Sequence, residues 1–533
     1  MRKWSRYLVG VVAIAGWLAL VVSAGAETCK LETKRLDGTD RTMMGDIQVD
    51  YWFQSTSPQS FFMQIGGPQG MVRGSEQEGT PEFSAVISKE PSTYNSQHPF
   101  RGVAKLGSQH FGFVFDTAQA EAKEEEKEKE EEAKSDAKTE EADNPLNQVL
   151  QLRRTMKTVA YERLYFDVNH NGDLTDDQVI EARTGRGMPA NYANAAFPAV
   201  DLKIDVDGVP VDYAFTMSVY SYGSTEYSYA NASLSAAAYR AGEMVIDGKN
   251  RRIVVVDTNS NGRYDDQSGI DERIRPSDGT VYPKTGDMLY VIDPEAKIDP
   301  GANPYDASSN EFLHYVAKQV NLGGRFHDLK ITPAGDELTM EPSTIPVGFV
   351  TNANTGYRAI VYGELGFLKV VGDESGKAPL PAGEWKLASY TIDKTIAQEP
   401  AKEEAKEESK GADVEGSLFE ALARLIGGAP SVSRPQSQPR YNRVSARGKQ
   451  DYPAVRVTEG QTVEMPFGEP YRPVVTIGYR EGADKASLSM SLVGNAGEVC
   501  TNMIVNGGRP GKPKFTISTE KGEVVDTGNF EYG

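Results

Sequence analysis

The sequence predicts a mainly β protein made of several antiparallel units, on three observations. Short apolar runs rich in aromatic and β-branched residues recur along the 533 residues, and turn-forming residues bound them. Glycine occurs 52 times and proline 29 times, which suits frequent turns. Only a segment near Ser417 has the apolar spacing of a short amphipathic helix. The length allows three or four domains of about 100–200 residues each.

The first 26 residues have the pattern of a secretory signal peptide. A basic start is followed by an apolar run, Tyr7–Val22, and by the small residues of 23–26. We expect cleavage after Ala26, with an uncleaved anchor as the alternative. Elsewhere no apolar stretch is long enough to cross a bilayer. The predicted location is therefore secreted or periplasmic, with no membrane span after signal cleavage.

Residues 27–117 are predicted to be an N-terminal β region. Its expected strands are Tyr51–Phe53, Ser60–Ile65 and Phe111–Phe115, where aromatic residues lie between turn signals. Residues 118–144 are predicted to be an acidic low-complexity spacer, because Glu121–Asp143 holds twelve acids and five lysines. Such a tract cannot bury an apolar face, so disorder or a solvated helix is expected.

Residues 145–395 are predicted to form a central β domain. Asp207-Gly208 is a hairpin signal, and Val219–Tyr229 has the pattern of a tyrosine-rich hairpin. Further strands are expected at Ala359–Tyr362 and Phe367–Val371. The run Phe312–Ala317 suits a helix or a strand, and its periodicity does not decide between them.

Residues 396–450 are predicted to be a second, partly acidic linker that contains one short helix. A Ser/Glu capping box begins at Ser417, an apolar face follows, and Gly427 ends the helix. Residues 451–533 are predicted to be a C-terminal β-sandwich, because Ser487–Leu492 alternates perfectly between polar and apolar residues.

Charge and cysteine content limit the partners. The net charge of −19 disfavours nucleic acid, which needs clustered Lys and Arg. A loose basic stretch between Arg434 and Lys449 suits a solvated linker better than contact with an anionic envelope polymer. Cys29 and Cys500 are the two cysteines, and they form a candidate disulfide, with two separate thiols as the alternative.

A twelve-residue acidic loop occurs twice, at 167–178 and at 257–268. We call these the first loop and the second loop. Each has Asp, Asn, Asn and Gly at positions one, three, five and six, and each follows a β-type run. Alternate oxygen-bearing residues in a tight loop can converge on one calcium ion, and the glycine permits the sharp bend. The candidate ligands are Asp167, Asn169, Asn171, Asp173, Asp176 and Asp177 in the first loop and Asp257, Asn259, Asn261, Asp265 and Asp266 in the second.

These two loops resemble the calcium loops of EF-hand and dockerin proteins. Both have a hydrophobic residue at position eight, Leu174 or Tyr264, as that family does. Both depart from it at position twelve, where Gln178 and Ser268 replace the expected acid. The resemblance implies calcium as the cofactor, and entry from a strand implies a structural ion rather than a helix-opening switch. Two ordinary Asn-Gly turns are the alternative.

No catalytic constellation in the sequence rises above chance. The histidines lack zinc spacing, and two aspartic-protease-like triplets begin at Asp116 and Asp526 without the segments that would support them. Alternating tyrosines around a turn, Tyr220, Tyr222, Tyr227 and Tyr229, suit cross-strand packing or stacking on a glycan. We therefore expect a non-catalytic, calcium-binding structural or ligand-binding protein of the cell envelope or extracellular space. A secreted carbohydrate-active hydrolase is the alternative.

Overall fold

The computed structural model of this chain describes residues 26–36, 43–44, 47–48, 50–66, 72–74, 79–118, 159–183, 192–223, 227–271, 273–295, 303, 305–394, 442–479 and 486–532. Strands make up 55% of these described residues and helices 2%, so the prediction of a mainly β protein is confirmed. The predicted signal peptide (except Ala26), acidic spacer (except Ala118) and linker helix lie outside the described residues.

The helices and strands follow one another in short segments. Up to residue 117 they are β1 (Glu27–Lys30), β2 (Glu32–Arg35), β3 (Met43–Met44), β4 (Ile47–Gln48), a 3₁₀ helix (Asp50–Phe53), β5 (Gln59–Gly66), β6 (Val72–Gly74), α1 (Phe83–Val86), β7 (Phe100–Leu106) and β8 (Gln109–Thr117). From 161 to 292 they are β9 (Tyr161–Phe166), β10 (Ile180–Glu181), β11 (Tyr192–Ala196), β12 (Val200–Val206), β13 (Val209–Gly223), β14 (Tyr227–Ala236), β15 (Ala238–Ile246), β16 (Lys249–Val256), β17 (Gly269–Ile270), β18 (Pro283–Lys284) and β19 (Met288–Ile292).

The remaining strands belong to the second half of the chain. They are β20 (Leu313–Tyr315), β21 (Gln319–Leu322), β22 (Arg325–Ile331), β23 (Glu337–Pro342), β24 (Val347–Thr351), β25 (Tyr357–Gly363), β26 (Gly366–Val371), β27 (Lys377–Pro381), β28 (Gly383–Asp393), β29 (Arg443–Arg447), β30 (Val455–Val457), β31 (Thr462–Glu464), β32 (Arg472–Gly478), β33 (Ser487–Val493), β34 (Val499–Ile504), β35 (Lys514–Ser518) and β36 (Val524–Asn529).

Two antiparallel sheets enclose an aromatic core, and we call them the first unit. One sheet has the order β10-β9-β8-β7 and the other β11-β13-β14-β5-β6, with β12 also on β13. Ring contacts join the two inner faces: the ring centroids of Phe166 and Phe215 lie 4.6 Å apart, and those of Phe61 and Phe113 lie 4.8 Å apart. Alternate residues of each strand point into this core, as pleated strands require.

A five-stranded sheet, β2-β15-β16-β19-β20, is buried on both faces and forms the second unit with the sheet β1-β23-β22-β21. Strand β16 shows why its apolar run is continuous. Ile253 and Val255 lie in one core with Leu338 of β23, whereas Val254 and Val256 lie in another core with the 3₁₀ helix. A strand covered on both faces needs apolar side chains at successive positions.

The third unit is built on an eight-stranded sheet of order β26-β25-β28-β29-β34-β33-β32, with β30 also on β28. A smaller sheet, β27-β24-β31, includes one parallel pair, β24 and β31. Val361, Trp385 and Phe467 are among the residues of the shared core. All residues of β32 are exposed, so β32, β33 and β34 extend this sheet beyond the core. β35 and β36 form a separate two-stranded sheet.

Hydrogen-bonded sheets cross the predicted domain boundaries. β1 pairs with β23 and β5 with β14, so residues 27–117 share sheets with the central region. β29 pairs with both β28 and β34, which joins the central region to the C-terminal one. At this place the N–H of Lys394 donates to the carbonyl oxygen of Asn442 at 2.9 Å, so the two described residues that flank 395–441 lie side by side.

Most of the predicted strands are present, and one is wrong. Tyr51–Phe53 is part of the 3₁₀ helix, where Trp52 and Phe53 are both buried. The Trp52 carbonyl oxygen accepts the Tyr290 hydroxyl at 2.8 Å. Three apolar residues are too few to distinguish a strand from a buried turn. The undecided run Phe312–Ala317 contains strand β20.

Of the two alternatives for the cysteines, the structure shows separate thiols: Cys29 and Cys500 are free and lie in different sheets. The Cys29 thiol donates to the Glu243 carbonyl oxygen at 3.2 Å, and that of Cys500 donates to the Asn502 carbonyl oxygen at 3.5 Å. Within the described part of the chain, no helix is long and apolar enough to cross a membrane.

Candidate functional site

Each acidic loop begins where a buried strand ends. Asp167 directly follows β9 and Asp257 directly follows β16, and their exposed fractions are 1% and 0%. A buried carboxylate needs hydrogen-bond donors to compensate for lost hydration. Both find them in the backbone of their own loop.

The position-one carboxylates bind the backbone in the same way in both loops. One oxygen accepts the N–H of position five and the other accepts the N–H of position six. The N···O distances are 3.0 Å to Asn171 and 3.1 Å to Gly172 in the first loop, and 3.1 Å to Asn261 and 2.7 Å to Gly262 in the second.

Two residues with positive φ make each bend. They are His170 (φ 57°) and Gly172 (φ 75°) in the first loop and Ser260 (φ 59°) and Gly262 (φ 79°) in the second. A Cβ at Gly172 would lie 2.8 Å from the carbonyl oxygen of Val86. Glycine is therefore needed at position six for both its conformation and its size.

The acids at position ten close each loop. Asp176 accepts the side-chain amide N–H groups of Asn169 and Asn171 at 3.4 and 2.8 Å. Asp266 accepts those of Asn259 and Asn261 at 2.9 and 2.6 Å. The amide oxygens at position five accept backbone N–H groups at 2.8 Å in both loops. Positions one, three, five and ten thus have the same hydrogen-bonding pattern twice.

Each loop has one further carboxylate close to these positions. In the first loop it is Asp177, at position eleven. Burial, followed by the charges of Asp167 and Asp176, raises the pKa of this carboxyl to about 6, although the N–H groups of Val168 and Asn169 oppose the rise. Among the described residues, its buried Oδ2 atom has no hydrogen-bond partner.

In the second loop the additional carboxylate is Asp287, which the sequence analysis missed. Val256 pairs with Met288, and the antiparallel register therefore places Asp257 opposite Asp287. Asp287 is fully buried and accepts the N–H of Asp266 at 2.8 Å and that of Thr258 at 3.3 Å. Burial and the charges of Asp257 and Asp266 raise its pKa well above the ordinary value.

Burial also raises the pKa of Asp257, and the hydroxyl of Tyr213, which donates to Asp257 at 2.8 Å, opposes that rise. Three carboxyl groups therefore interact around the second loop. Such repulsion is relieved by protonation or by a bound cation.

Two predicted ligands point elsewhere. Asp173 forms an ion pair with Lys89 at 2.6 Å, and this contact lowers the pKa of Asp173 to about 2. Asp265 forms an ion pair with Arg263 at 3.1 Å. Neither side chain joins the shared hydrogen-bonding pattern, because a cationic neighbour holds it.

The second loop also lies at the junction of the first and second units. The N–H of Gly107 donates to the Asn261 carbonyl oxygen at 2.6 Å, and Gln59 donates to the Ser260 carbonyl oxygen at 2.6 Å. The N–H of Ala236 donates to the Ser260 hydroxyl at 2.9 Å. The first loop is attached to the segment that follows α1, where the N–H groups of Ser88 and Lys89 donate to the Gly172 carbonyl oxygen.

A calcium ion at either loop would need ligands in addition to the acidic side chains. In the described ranges, no three His, Cys, Asp or Glu side chains are grouped so that they could hold a metal ion by themselves. A cation at either loop would also need amide oxygens, a backbone carbonyl or water. Calcium accepts this mixed set of oxygen ligands.

The structure keeps the two protease-like triplets apart. Asp116 lies in β8 and is buried, where it accepts the N–H of Asn95 and of Ser96 at 3.0 and 2.7 Å. Asp526 is exposed in β36, which pairs only with β35 among the described strands. These aspartates cannot share a proton as that chemistry requires.

Comparison with known proteins adds no family: no protein-family model, no curated protein and no solved structure matches this chain.

Proposed function

We propose that both acidic loops bind calcium and that this chain is a calcium-stabilised structural or ligand-binding protein that acts without catalysis outside the cytoplasm. One observation carries the proposal: two loops far apart in sequence share one hydrogen-bonding pattern and each gathers mutually repelling carboxylates. A simple Asn-Gly turn needs the bend but not the buried acids.

The proposed ligand set uses the side-chain oxygens of the shared hydrogen-bonding pattern. Positions one and ten supply carboxylates, and positions three and five supply amide oxygens. A third carboxylate comes from Asp177 in the first loop and from Asp287 in the second. Carboxylate and amide oxygens have additional lone pairs beyond the N–H groups they accept. A cation would take the place of the amide donors that now contact Asp176 and Asp266.

The expected affinity suits an extracellular setting. Sites of this type in extracellular modules have dissociation constants on the order of 10⁻⁴–10⁻³ M. At about 10 mM calcium, binding to the folded state alone would then stabilise it by about 1.4–2.7 kcal/mol per site. The predicted signal peptide would bring the chain out of the cytoplasm, to the setting in which calcium sites of this affinity are found.

Thermal unfolding with 10 mM calcium and with chelator tests the proposal. We expect calcium to raise the Tm by on the order of 5 °C, and we expect Asp177→Asn combined with Asp287→Asn to remove most of the shift. These changes keep the size of each side chain and remove one charge from each loop.

A matched control uses the acids that point away. Asp173→Asn combined with Asp265→Asn removes the same charge from the same loops but leaves the calcium-dependent shift intact, since Lys89 and Arg263 hold those carboxylates. Identical melting curves of the unmodified protein with calcium and with chelator would show that the loops are only turns.

A further inference from the structure

Exposed apolar side chains are concentrated near the end of the described chain. Of the 14 large apolar residues that are exposed in the described ranges, nine lie between residues 474 and 532. Three of them, Val474, Val475 and Ile477, belong to β32, of which every residue is exposed. Single exposed apolar residues are ordinary in soluble proteins, but such a concentration along one strand indicates a contact surface.

β32 and β33 form a hairpin with one apolar face. Three cross-strand pairs place apolar side chains on this face: Pro473–Leu492, Val475–Met490 and Ile477–Leu488. The opposite face is mainly polar, with Thr476, Ser489 and Ser491. The alternation of polar and apolar residues is typical of a strand that is buried on one face. None of the six apolar side chains belongs to a core cluster of the described residues.

The β32–β33 hairpin is attached to the rest of its sheet on one side only. β33 meets β34 at a single pair, Val493 and Val499, and β32 pairs only with β33 among the described strands. The outer edge of β32 can therefore hydrogen-bond to another strand. Pro473 lacks one donor, but no charged residue lies between 473 and 478 to repel such a strand. Two strands alone are marginally stable in water, whereas three or more with an apolar face are stable.

The charges around β32 favour a second copy of this chain over a charged partner. Residues 471–533 contain seven basic and seven acidic residues, so residues 1–470 carry the entire net charge of −19. Two copies of so acidic a chain repel each other least when they approach through this neutral part. An uncharged apolar face offers no electrostatic attraction to nucleic acid or to a charged protein surface.

The sequence of β32 is complementary to itself in one antiparallel register. Val475 is the centre of this seven-residue strand, and a two-fold axis there pairs the whole strand with its copy. Pro473 then faces Ile477 of the second copy, and Val475 faces itself. Arg472 faces Gly478 of the second copy. Apolar residues are thus opposed to apolar residues and no like charges are opposed, as a symmetric strand pair requires.

We propose that β32 pairs with β32 of a second copy, so that two hairpins form one four-stranded sheet with two-fold symmetry. An axis at Thr476 is disfavoured, because it would oppose Arg472 and Arg480. A paired strand edge buries less than the roughly 800 Å² per partner of a standard interface, so we expect a dissociation constant on the order of 10 μM. The dimer is independent of calcium, because β32 belongs to neither loop.

Sedimentation velocity of the full chain, from about 1 to 100 μM, tests the proposal. We expect a reversible monomer–dimer equilibrium. Val475→Lys should weaken the dimer about tenfold or more, because it places like charges opposite each other at the axis, and the Tm should stay unchanged. Val245→Lys is the matched control: Val245 of β15 is 51% exposed and Val475 is 50% exposed. It should dimerise like the unmodified protein.

Cysteine cross-linking tests the register directly. Cys500→Ser removes the partly exposed thiol, and Cys29 is buried. In this background Val475→Cys should give a disulfide-linked dimer under mild oxidation, since opposed Cα atoms of an antiparallel pair lie about 4.5–5.5 Å apart. Tyr479→Cys should not, because the proposed register places residue 479 opposite Tyr471 of the second copy.

Three sedimentation results would overturn the proposal: a monomer at every concentration, a dimer that Val475→Lys leaves unchanged, or growth into species larger than a dimer. Cross-linking through Tyr479→Cys in place of Val475→Cys would also overturn it. A monomer that dimerises only after deletion of residues 417–427 would overturn it too, and would assign the apolar face to that segment of the same chain. Each measurement is repeated with calcium and with chelator, and we expect the same dimer in both.

Discussion

The glycine at position six of the second loop is the residue on which the geometry of that loop depends most directly. Gly262 has a φ of 79°, and a Cβ there would lie 2.4 Å from the Ile204 side chain and 3.0 Å from the Gly107 nitrogen. Gly248 has almost the same φ, 76°, but no atom within 4 Å of its Cβ position. Comparing substitutions at these two glycines therefore distinguishes the cost of the left-handed conformation from the cost of a steric clash.

We predict that Gly262→Ala lowers the free energy of unfolding by about 2–4 kcal/mol, because the left-handed conformation and the clash both contribute. Gly248→Ala should cost only about 1 kcal/mol. Urea denaturation of both variants measures the difference. Equal losses in the two variants would mean that the space around Gly262 relaxes freely.

At this scale the sequence predicts the ligands that lie within a loop but not those that arrive from another strand. Asp167 and Asp257 are recognisable because position one is fixed by local spacing. Asp287 comes to Asp257 only through the β16–β19 register, which no local pattern reports. The ion pair that holds Asp173 away from the shared pattern is equally non-local, because Lys89 precedes Asp173 by more than eighty residues.

Strand β26 shows how an element can bury a residue that its sequence would leave in solvent. Lys369 is 6% exposed, and its ammonium group donates to the carbonyl oxygens of Asn310 and Glu311 at 2.9 and 2.7 Å. Burial, followed by the charge of Arg358, lowers the pKa of Lys369 to about 7. The sequence predicts Phe367–Val371 as a strand. A run of five residues cannot show that both faces of the strand are covered.

The lowered pKa of Lys369 makes stability depend on pH. Between about pH 7 and pH 10 the unfolded chain holds a proton on this amine that the folded chain lacks, so stability rises with pH in that window. We predict that this amine contributes a gain on the order of 2 kcal/mol from pH 7 to pH 9.5, measured by urea denaturation as the difference between the unmodified protein and Lys369→Met. The raised pKa of Asp287 acts in the opposite direction and is common to both proteins.

The variant Lys369→Met should remove most of this pH dependence, although it leaves two carbonyl groups without their donor. Lys330→Met, at an exposed position of β22, should retain it. A slope that persists in Lys369→Met would assign the effect to other groups. His314 is buried and its pKa is lowered well below 6.5, so it titrates outside this window.

In the whole molecule, the second loop joins units that the sequence suggested were separate. Its backbone and side chains contact β5, the turn between β7 and β8, and the end of β14. Boundaries drawn from composition, at 117 and 145, followed the acidic spacer. They could not reveal that strands on either side of it share sheets, because such pairing is a property of the folded chain.

We predict that calcium slows hydrogen exchange at this junction as well as within the loops. The amides of Gly107 and Ala236 donate to the second loop, so they should become protected by about tenfold or more when the loop is held by a cation. Exchange measured by mass spectrometry, with calcium or chelator, reports this directly.

The β35–β36 hairpin lies outside this junction. It serves as the internal reference for that exchange experiment, and its exchange should not change. Asp287→Asn should abolish the protection at the junction but preserve it around the first loop. Protection confined to the loops themselves would show that the junction is held without the ion.

The meeting of Lys394 and Asn442 has a further consequence for how this chain tolerates change. β28 and β29 pair over five residues directly beside that contact, so the sheet fixes the two ends and places no demand on the length of what connects them. The cost of closing a connection rises only with the logarithm of its length. We therefore expect insertions or deletions between residues 395 and 441 to change the stability of the surrounding sheet little.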